Sequence, residues 1–308
     1  NYVIPSPFFL RWLEDLPVTQ LPERTQAPSP LEDPTISVHT IDGRYTLHEE
    51  IGSGATGSVF KARDSMLDTW VAVKLLKPEY TADQSAIERV RQEILLSRDI
   101  AHPNILLDYH LASFEGGKYH TMQWIRGETL SDIIADRGAL PPREVLHLAT
   151  KLASALAAAH ERKVLHRDIK PGNILIDETG EPFLADFGLA RLIGGRGLTR
   201  HGVFVGTPHY CSPEQVQLQE LDERSDIYAL GLVVFEMTTG RRPFEAETVA
   251  EILAMQRNTP APDPSAFAPG IPGELAAITL RCLAKEPADR VSSAVELAEA
   301  LGRVRKSL

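Results

Sequence analysis

The string His166–Asn173, which reads HRDIKPGN, brings together three side chains that could carry out phosphoryl transfer. Asp168 could accept a proton from a hydroxyl group, and Lys170 could neutralise charge on a phosphoryl group in transit. Asn173 offers a neutral oxygen to Mg²⁺. A solvated polar turn is the competing interpretation, but no other string in the chain is as specific.

A second acidic position, Asp186, follows this string across a predicted hairpin that turns at Asp177–Gly180. In the tripeptide Asp186-Phe187-Gly188, the carboxylate is a hard anionic oxygen of the kind that Mg²⁺ takes when it bridges the phosphates of ATP. A solvated polar turn is again the alternative.

The segment Gly52–Val59, which reads GSGATGSV, is a glycine-rich turn. Glycines let the backbone approach phosphate oxygens and present N–H groups to them, because no Cβ stands in the way. A plain hairpin turn or a Rossmann-type dinucleotide turn would share this pattern. A Rossmann turn needs a helix directly after the third glycine, whereas Val59–Ala62 continues as a strand.

A lysine ends the apolar strand Val71-Ala72-Val73-Lys74. A buried ammonium group needs an anionic partner. The phosphates of ATP could supply one, and Glu93 on the next predicted helix could supply another. An exposed lysine at the end of a strand is the alternative.

The elements that must position these residues change character along the chain. Strand patterns occupy Tyr45–Leu76 and Ile105–Trp124, and a helical pattern occupies Thr81–Ile100. Further along, Ile227–Thr239 is apolar all round and stops at Gly240, which is typical of a helix buried at the centre of a lobe. Other helices are predicted over 142–160, 247–257, 273–284 and 293–304. The pattern predicts an α+β architecture with a small β-rich lobe followed by a larger helical lobe.

Residues 1–40 form a proline-rich extension, because the repeated prolines block a continuous helix or central strand. Within it, residues 1–16 contain a dense apolar cluster that includes Phe8, Phe9 and Trp12. Two interpretations stay open: a short helix docked on its own domain, or a contact with an upstream domain or partner.

The composition narrows the class of protein. The chain has 308 residues and a formal net charge of -10, whereas a nucleic-acid-binding protein usually carries a basic face. Its two cysteines, Cys211 and Cys282, are too few for a disulfide framework, which favours a reducing, cytoplasmic setting. The apolar run Ile227–Phe235 is too short to span a bilayer. No signal peptide is recognised, and because the chain does not begin with Met, a membrane anchor elsewhere in a longer protein stays open.

Together, these motifs and their order resemble the eukaryotic-type (Hanks-type) protein kinase family, and its bacterial Ser/Thr kinases in particular. The resemblance extends over Tyr45–Val304. It implies a two-lobed protein kinase fold within a domain at 41–308, with an N-lobe at about 45–125 that has one main helix and a helical C-lobe at about 126–305. It also implies transfer of the γ-phosphoryl group of ATP, with Mg²⁺, to Ser or Thr hydroxyls of protein substrates.

The resemblance implies a nucleotide-binding role for each matching residue. Lys74 would contact the α- and β-phosphates and pair with Glu93, and Met122 would be the gatekeeper before the adenine-binding hinge. The implied nucleotide-binding positions are Ile51, Gly52, Ser53, Gly54, Ala55, Thr56, Gly57, Ser58, Val59, Ala72, Lys74, Glu93, Met122, Gln123 and Ile125.

The resemblance also implies the catalytic roles. Asp168 would be the base, with Lys170 and Lys74 as the other catalytic residues, and Asn173 and Asp186 would be the Mg²⁺ ligands. None of these positions departs from the family pattern.

Three further positions would support the larger lobe. Glu214, in the string Ser212-Pro213-Glu214, would form a buried ion pair with Arg290. Asp226 would anchor the catalytic loop, which is the string His166–Asn173, from the start of the central helix. Ser212 stands where the family usually has Ala.

Lys170 and Thr207 match Ser/Thr kinases rather than tyrosine kinases. Arg167, next to the catalytic Asp, implies pairing with a phosphorylated residue of the activation segment Asp186–Glu214, because a phosphate opposite an arginine can order a mobile loop. Thr199 is the expected acceptor. A purely structural role for Arg167 is the alternative.

Two other classes of function remain as alternatives. A pseudokinase-like binding or scaffold module is disfavoured, because Lys74, Asp168, Asn173 and Asp186 are all present. A small-molecule phosphotransferase would not be expected to have Thr207 and the Ser-Pro-Glu string that shape a peptide groove.

Overall fold

A computed structural model describes residues 40–54, 57–78, 88, 91, 100–187, 197–198, 204–205 and 207–308. The extension at 1–39, including its apolar cluster, lies outside these described residues. So do Ala55 and Thr56 of the glycine-rich turn, Glu93 with most of the helix predicted over Thr81–Ile100, and Thr199.

The chain divides into two compact units. The first contains the described residues up to Pro78 together with Asp108–Trp124, and the second contains the described residues of Glu88–Leu107 together with Ile125–Leu308.

The first unit is built on a six-stranded antiparallel sheet of order β1-β2-β3-β4-β6-β5. Side chains of a strand alternate between the two faces of its sheet, so each strand gives every second residue to the same side. The strands are β1 Thr40–Ile41, β2 Tyr45–Ser53, β3 Gly57–Asp64, β4 Thr69–Leu76, β5 Asp108–Phe114 and β6 Gly117–Gln123. On one face the buried apolar cluster comprises Ile41, Tyr45, Leu47, Phe60, Ala62, Val71, Val73, Leu75 and Tyr119.

The second unit is mainly helical. Its described residues form the helices α1 Leu130–Arg137, α2 Pro142–Glu161, α3 Pro213–Val216, α4 Glu223–Thr239, α5 Val249–Asn258, α6 Gly273–Cys282 and α7 Ala294–Ser307. Short strands also occur: β7 Gly127–Thr129, β8 Ile174–Asp177 and β9 Pro182–Leu184 form one sheet, and β10 Gly197–Leu198 pairs with β11 Phe204–Val205.

The predicted central helix is confirmed as α4, which is buried along nearly its whole length. It begins at Glu223 rather than at Ile227, because Asp222 caps its first turn by accepting a backbone N–H. It ends at Gly240, whose φ of 70° is a left-handed conformation that favours glycine. A Cβ at Gly240 would also lie 2.8 Å from the backbone nitrogen of Ala139.

One predicted strand differs in the structure. Strand patterns were predicted from Ile105 through Trp124, but the first strand of this range, β5, begins only at Asp108. Ile105 instead forms a parallel bridge with Leu184 in the second unit, and the Leu106 N–H donates to the Leu184 carbonyl over 2.9 Å. A short apolar run does not reveal which sheet it will join.

Candidate active site

The glycine-rich segment connects β2 to β3, which pair antiparallel, so a strand rather than a helix follows it. The Gly54 N–H donates to the Gly57 carbonyl over 2.9 Å. Val59 continues in β3, as predicted, so the Rossmann alternative is excluded by the local fold.

The glycines of this segment lack a side chain for different physical reasons. A Cβ at Gly57 would lie 1.9 Å from the Leu75 carbonyl oxygen on β4, far inside contact distance. A Cβ at Gly52 would meet no atom of the described residues within 4 Å, and one at Gly54 only the Gly57 carbonyl at 3.9 Å. Gly57 is therefore required by strand packing, whereas Gly52 and Gly54 leave open space for a ligand.

The register of the sheet collects several predicted nucleotide-binding residues on one face. Val59 pairs with Lys74 on β4, and Ala72 pairs with Met122 on β6. Paired residues of adjacent strands share a face, and this face is opposite to that of Val73 in the apolar cluster. Lys74 is only 4% exposed, so the alternative of an exposed strand-end lysine is wrong.

Other predicted nucleotide-binding residues are placed differently. Ser58 pairs with Leu75 and so lies on the side of the apolar cluster, where its hydroxyl is 3.4 Å from that of Ser53. Ile51 is exposed, and Gln123 is half-buried at the end of β6. Ile125, also half-buried, belongs to the second unit.

In the second unit, Asp226 near the start of α4 anchors the catalytic loop, as predicted. Its carboxylate accepts the backbone N–H groups of His166 at 2.9 Å and Arg167 at 2.8 Å. The His160 imidazole lies 2.8 Å from the same carboxylate. Burial alone would raise the pKa of Asp226, but these hydrogen bonds, led by the one from His160, hold it below its ordinary value.

Arg167 has a φ of 66°, a costly left-handed conformation for a residue with a side chain. It is held from both sides: Asp226 accepts its N–H, and the Gln215 side chain donates to its carbonyl over 3.1 Å. Gln215 is fixed in turn by a capping box with Ser212 at the start of α3. Sequence reasoning missed both His160 and Gln215, although Ser212-x-x-Gln215 is a recognisable capping pattern.

His166 is fully buried and fixes the backbone on both sides of the loop. Its Nδ1 accepts the Asp168 N–H over 3.2 Å, so its Nε2 carries the proton and donates to the Ala185 carbonyl over 2.9 Å. The imidazole also lies 4.5 Å from the Phe187 ring, centroid to centroid. His166 therefore ties Asp168 to the residues that flank Asp186.

Three predicted catalytic and metal-binding side chains meet in this loop. The Lys170 ammonium lies 3.0 Å from the Asp168 carboxylate. The Asn173 amide nitrogen donates to the Asp168 carbonyl at 2.8 Å and to its carboxylate at 3.1 Å. These two acceptors orient the amide, so Asn173 offers its carbonyl oxygen to a cation.

Asp186 lies two residues after the end of β9. The Ala185 N–H donates to the Asn173 carbonyl over 2.9 Å, which places Asp186 one residue from a direct link to the catalytic loop. Asp186 has a φ of 59°, a second left-handed conformation in this region. Such strain persists only where the surrounding structure enforces it, and it is concentrated at functional sites.

The segment Thr207–Cys211 lies beside the catalytic loop. Lys170, which pairs with Asp168, also donates to the Thr207 hydroxyl over 3.3 Å. Burial and the adjacent Glu236 carboxylate, which accepts the phenolic O–H, raise the pKa of Tyr210.

The predicted ion pair between Glu214 and Arg290 is confirmed. Two parallel hydrogen bonds of 2.7 and 2.8 Å join the guanidinium to the carboxylate, and Ser225 adds a third at 2.6 Å. Burial alone would raise the pKa of Glu214, but the Arg290 and Ser225 hydrogen bonds hold it below its ordinary value.

Two features are absent from the residues that the structure describes. No group of three or more His, Cys, Asp or Glu side chains in this part of the chain could hold a metal ion. None of the described helices has the length and apolar character needed to cross a membrane.

Comparisons with known proteins agree with this geometry. Residues 45–301 match the family model described as protein kinase domain. Serine/threonine-protein kinase PrkC of Bacillus subtilis is 37% identical over 257 residues, which cover 83% of this chain but 40% of PrkC. Serine/threonine-protein kinase PknL of Mycobacterium tuberculosis is 33% identical over 268 residues, which cover 87% of this chain and 67% of PknL.

A solved structure shows the same fold. The crystal structure of the Mycobacterium tuberculosis PknI kinase domain matches with a TM-score of 0.70 and 30% identity, covering 89% of this chain and 99% of that domain. A family model that spans most of the chain, relatives named as Ser/Thr kinases and a kinase-domain structure all lead to one assignment. The chain belongs to the protein kinase family.

Proposed function

We propose that this chain is an active Ser/Thr protein kinase domain, which transfers the γ-phosphoryl group of ATP to Ser or Thr hydroxyls of protein substrates. The observation that carries the proposal is the contact of Asp168 with both Lys170 and Asn173 in a loop whose backbone is held by Asp226. The names of the relatives support the choice of Ser and Thr as acceptors.

The chemistry would be carried out mainly by the catalytic loop. As the substrate oxygen forms a bond to the γ-phosphorus, the bond to the bridging oxygen of ADP breaks, and Asp168 takes the hydroxyl proton. Lys170 neutralises charge on the transferred group. Asn173 donates to the Asp168 carboxylate and so holds it in one orientation.

The residues present fit Mg·ATP. Asn173 and Asp186 supply the hard oxygen ligands that Mg²⁺ prefers, and two protein ligands suffice because Mg²⁺ usually completes its shell with phosphates and water. When bound, the ion would neutralise charge on the phosphates. In the first unit, the open space at Gly52 and Gly54 suits close approach of phosphate, and the buried ammonium of Lys74 suits pairing with it.

The remaining nucleotide contacts are part of the same proposal. Met122 and the backbone from Gln123 to Ile125 would contact adenine, and Glu93 would pair with Lys74.

Two cysteines in the described residues, Cys211 and Cys282, are both buried free thiols, which supports a reducing, cytoplasmic setting for the domain.

Regulation by autophosphorylation also belongs to the proposal. A phosphate on Thr199 would bring about -1.5 to -2 of charge to the activation segment, and Arg167 would help to bind it. The left-handed backbone of Arg167 is held by Asp226 and Gln215, so its side chain starts from a fixed position.

One experiment separates the competing functions. The chain is incubated with γ-labelled ATP, Mg²⁺ and a generic basic protein, and the product is analysed for phosphoserine, phosphothreonine and phosphotyrosine. We expect label on serine and threonine. A chain that binds ATP without transfer would be a scaffold module, and transfer to a small-molecule acceptor but not to protein would indicate the other phosphotransferase class.

A further inference from the structure

A continuous chain of hydrogen bonds leads from Lys285, three residues after the end of helix α6, to the segment Thr207–Cys211 beside the catalytic loop. The Lys285 ammonium donates to the Tyr228 hydroxyl over 2.9 Å. The Tyr228 hydroxyl donates to Gln256 Oε1 over 2.7 Å. Gln256 Nε2 donates to the backbone carbonyl of His209 over 2.6 Å. We call Lys285, Tyr228 and Gln256 the relay.

The direction of the relay is fixed by its last member. The His209 carbonyl can only accept, so the Gln256 amide must present Nε2 to it and Oε1 to Tyr228. Tyr228 must then use its single O–H toward Gln256, which leaves its oxygen to accept from Lys285. All three bonds run in the same sense, an arrangement in which each bond polarises and strengthens the next.

Two members of the relay are fully buried, and the third, Lys285, is half-buried and held by several hydrogen bonds. Tyr228 and Gln256 are completely inaccessible to solvent. Lys285 also donates to the Met255 and Gln256 carbonyls, and its own carbonyl accepts from Arg290 over 2.9 Å. Burial and the nearby Arg290 charge lower the pKa of Lys285 to about 7. The protonated amine has three N–H groups, one for each of its three acceptors.

The segment Thr207–Cys211 also contacts the catalytic loop, through Thr207. Thr207 accepts from Lys170, whose ammonium is 3.0 Å from the Asp168 carboxylate. His209 follows Thr207 after a single proline, in the short helix Pro208–Tyr210. A protein hydroxyl that reaches Asp168 must therefore bring its neighbouring residues close to this segment.

We propose that Gln256 is a positioning residue for the protein substrate: through the relay it fixes the backbone of Thr207–Cys211, and so sets the affinity for the polypeptide around the acceptor hydroxyl. This inference rests on the proposed function, since it concerns binding of a protein acceptor. It assigns no contact between Gln256 and ATP.

The test compares KM for a generic basic protein with KM for ATP in the wild-type chain and in two variants. Gln256→Leu keeps a side chain of similar size but removes the donor to His209. We expect KM for the protein to rise about tenfold, because loss of this hydrogen bond lowers the population of the binding-competent segment, with KM for ATP within about twofold. Tyr228→Phe removes only the hydroxyl oxygen and should also raise KM for the protein, by a smaller factor.

Thr279→Val is the matched control, because it removes a buried hydrogen bond, to the Leu275 carbonyl, within helix α6. Thermal unfolding monitors the fold of every variant. Tyr228→Phe keeps the ring that packs against Arg290 and so provides the test if Gln256→Leu is unfolded.

Three results would overturn the assignment: unchanged KM for protein in folded variants, an equal rise in KM for ATP, or the same rise in the Thr279→Val control. If the wild-type chain transfers no phosphoryl group to protein, the proposed function fails and the assignment fails with it. The two failures are therefore distinguishable.

A combined Gln256→Leu and Tyr228→Phe variant should raise KM for the protein by less than the product of the two single increases, because both substitutions act through one chain of hydrogen bonds.

Discussion

The Asn173 side-chain amide donates two hydrogen bonds to Asp168, one to its carbonyl at 2.8 Å and one to its carboxylate at 3.1 Å. A residue proposed as a metal ligand therefore also orients the residue proposed as the base. The two roles are compatible, because the amide nitrogen serves the base while the amide oxygen is offered to the cation.

Asp168→Asn should abolish most phosphoryl transfer and leave Mg·ATP binding largely intact. The substitution keeps the size of the side chain but removes the proton acceptor, and loss of a positioned general base typically costs about 10²–10⁴-fold. Steady-state kinetics give the loss in kcat, and calorimetry gives the affinity for Mg·ATP. A variant that keeps more than roughly a tenth of wild-type turnover would remove Asp168 from the role of base.

Asp186→Ala should weaken binding of Mg·ATP, because it removes the only negatively charged metal ligand that we propose. Calorimetric titration with ATP, with and without Mg²⁺, isolates the contribution of the ion. The Mg²⁺-dependent gain in affinity should largely disappear in the variant. Wild-type affinity for Mg·ATP in Asp186→Ala would show that the metal ligand lies elsewhere.

Gly57→Ala and Gly52→Ala form a matched pair. A Cβ at position 57 would lie 1.9 Å from the Leu75 carbonyl, so we expect a loss of about 1–3 kcal/mol in the free energy of unfolding. Gly52→Ala meets no described atom within 4 Å and should leave that free energy nearly unchanged while raising KM for ATP. Denaturant unfolding and kinetics measure both quantities, and equal destabilisation by the two variants would contradict the distinction.

Thr199 should be a principal site of autophosphorylation, and Thr199→Ala should lower activity. A phosphate there would form charge-assisted hydrogen bonds with Arg167 and order the activation segment. Mass spectrometry after incubation with ATP identifies the site, and kinetics of the Ala variant measure its effect. An active preparation without phosphate on Thr199 would reject this role and leave the kinase assignment unaffected.

The grouping of the candidate catalytic residues could be predicted from the sequence because these residues lie close together along the chain. Asp168, Lys170 and Asn173 lie in one short string, so their mutual contacts depend on the local turn Pro171–Asn173. The sheet and the central helix could be predicted for a similar reason, since alternation and an apolar run are local patterns.

The long-range contacts that hold the catalytic loop could not be predicted from local sequence patterns without the family resemblance. Asp226 is 59 residues from Arg167, and Gln215 is 48 residues from it along the chain. Contacts over such separations are decided by how helices pack, which no local pattern encodes. Gln256 donates to the carbonyl of His209, which is 47 residues away in the sequence, and no local sequence pattern indicated this contact.

The same limit explains why the strand that begins at Asp108 was predicted to begin at Ile105. Ile105 reads as part of the strand that follows it, yet it pairs with Leu184, 79 positions later in the sequence. The pattern correctly predicted extended backbone at Ile105. It could not predict the partner, because a short apolar run is equally suited to any neighbouring edge.

The buried pair of Glu214 and Arg290 should make stability depend on pH. The pKa of Glu214 is lowered in the folded state, so its contribution to stability is complete above its unfolded pKa, near 4.5. The contribution is lost as pH falls through the lower, folded pKa. Glu214→Gln leaves the Arg290 charge buried without its counter-ion and should cost about 3–5 kcal/mol at neutral pH.

Urea unfolding of wild type and Glu214→Gln between neutral pH and pH about 3.5 measures this dependence. The difference in the free energy of unfolding should be largest above pH about 5.5 and should shrink as pH falls below the unfolded pKa. Glu144→Gln is the matched control, because Glu144 pairs with Arg137 at 2.7 Å while both side chains are at least a third exposed. It should cost no more than about 1 kcal/mol. A Glu214→Gln variant as stable as that control, or a difference that grows toward acid, would contradict a lowered pKa at Glu214.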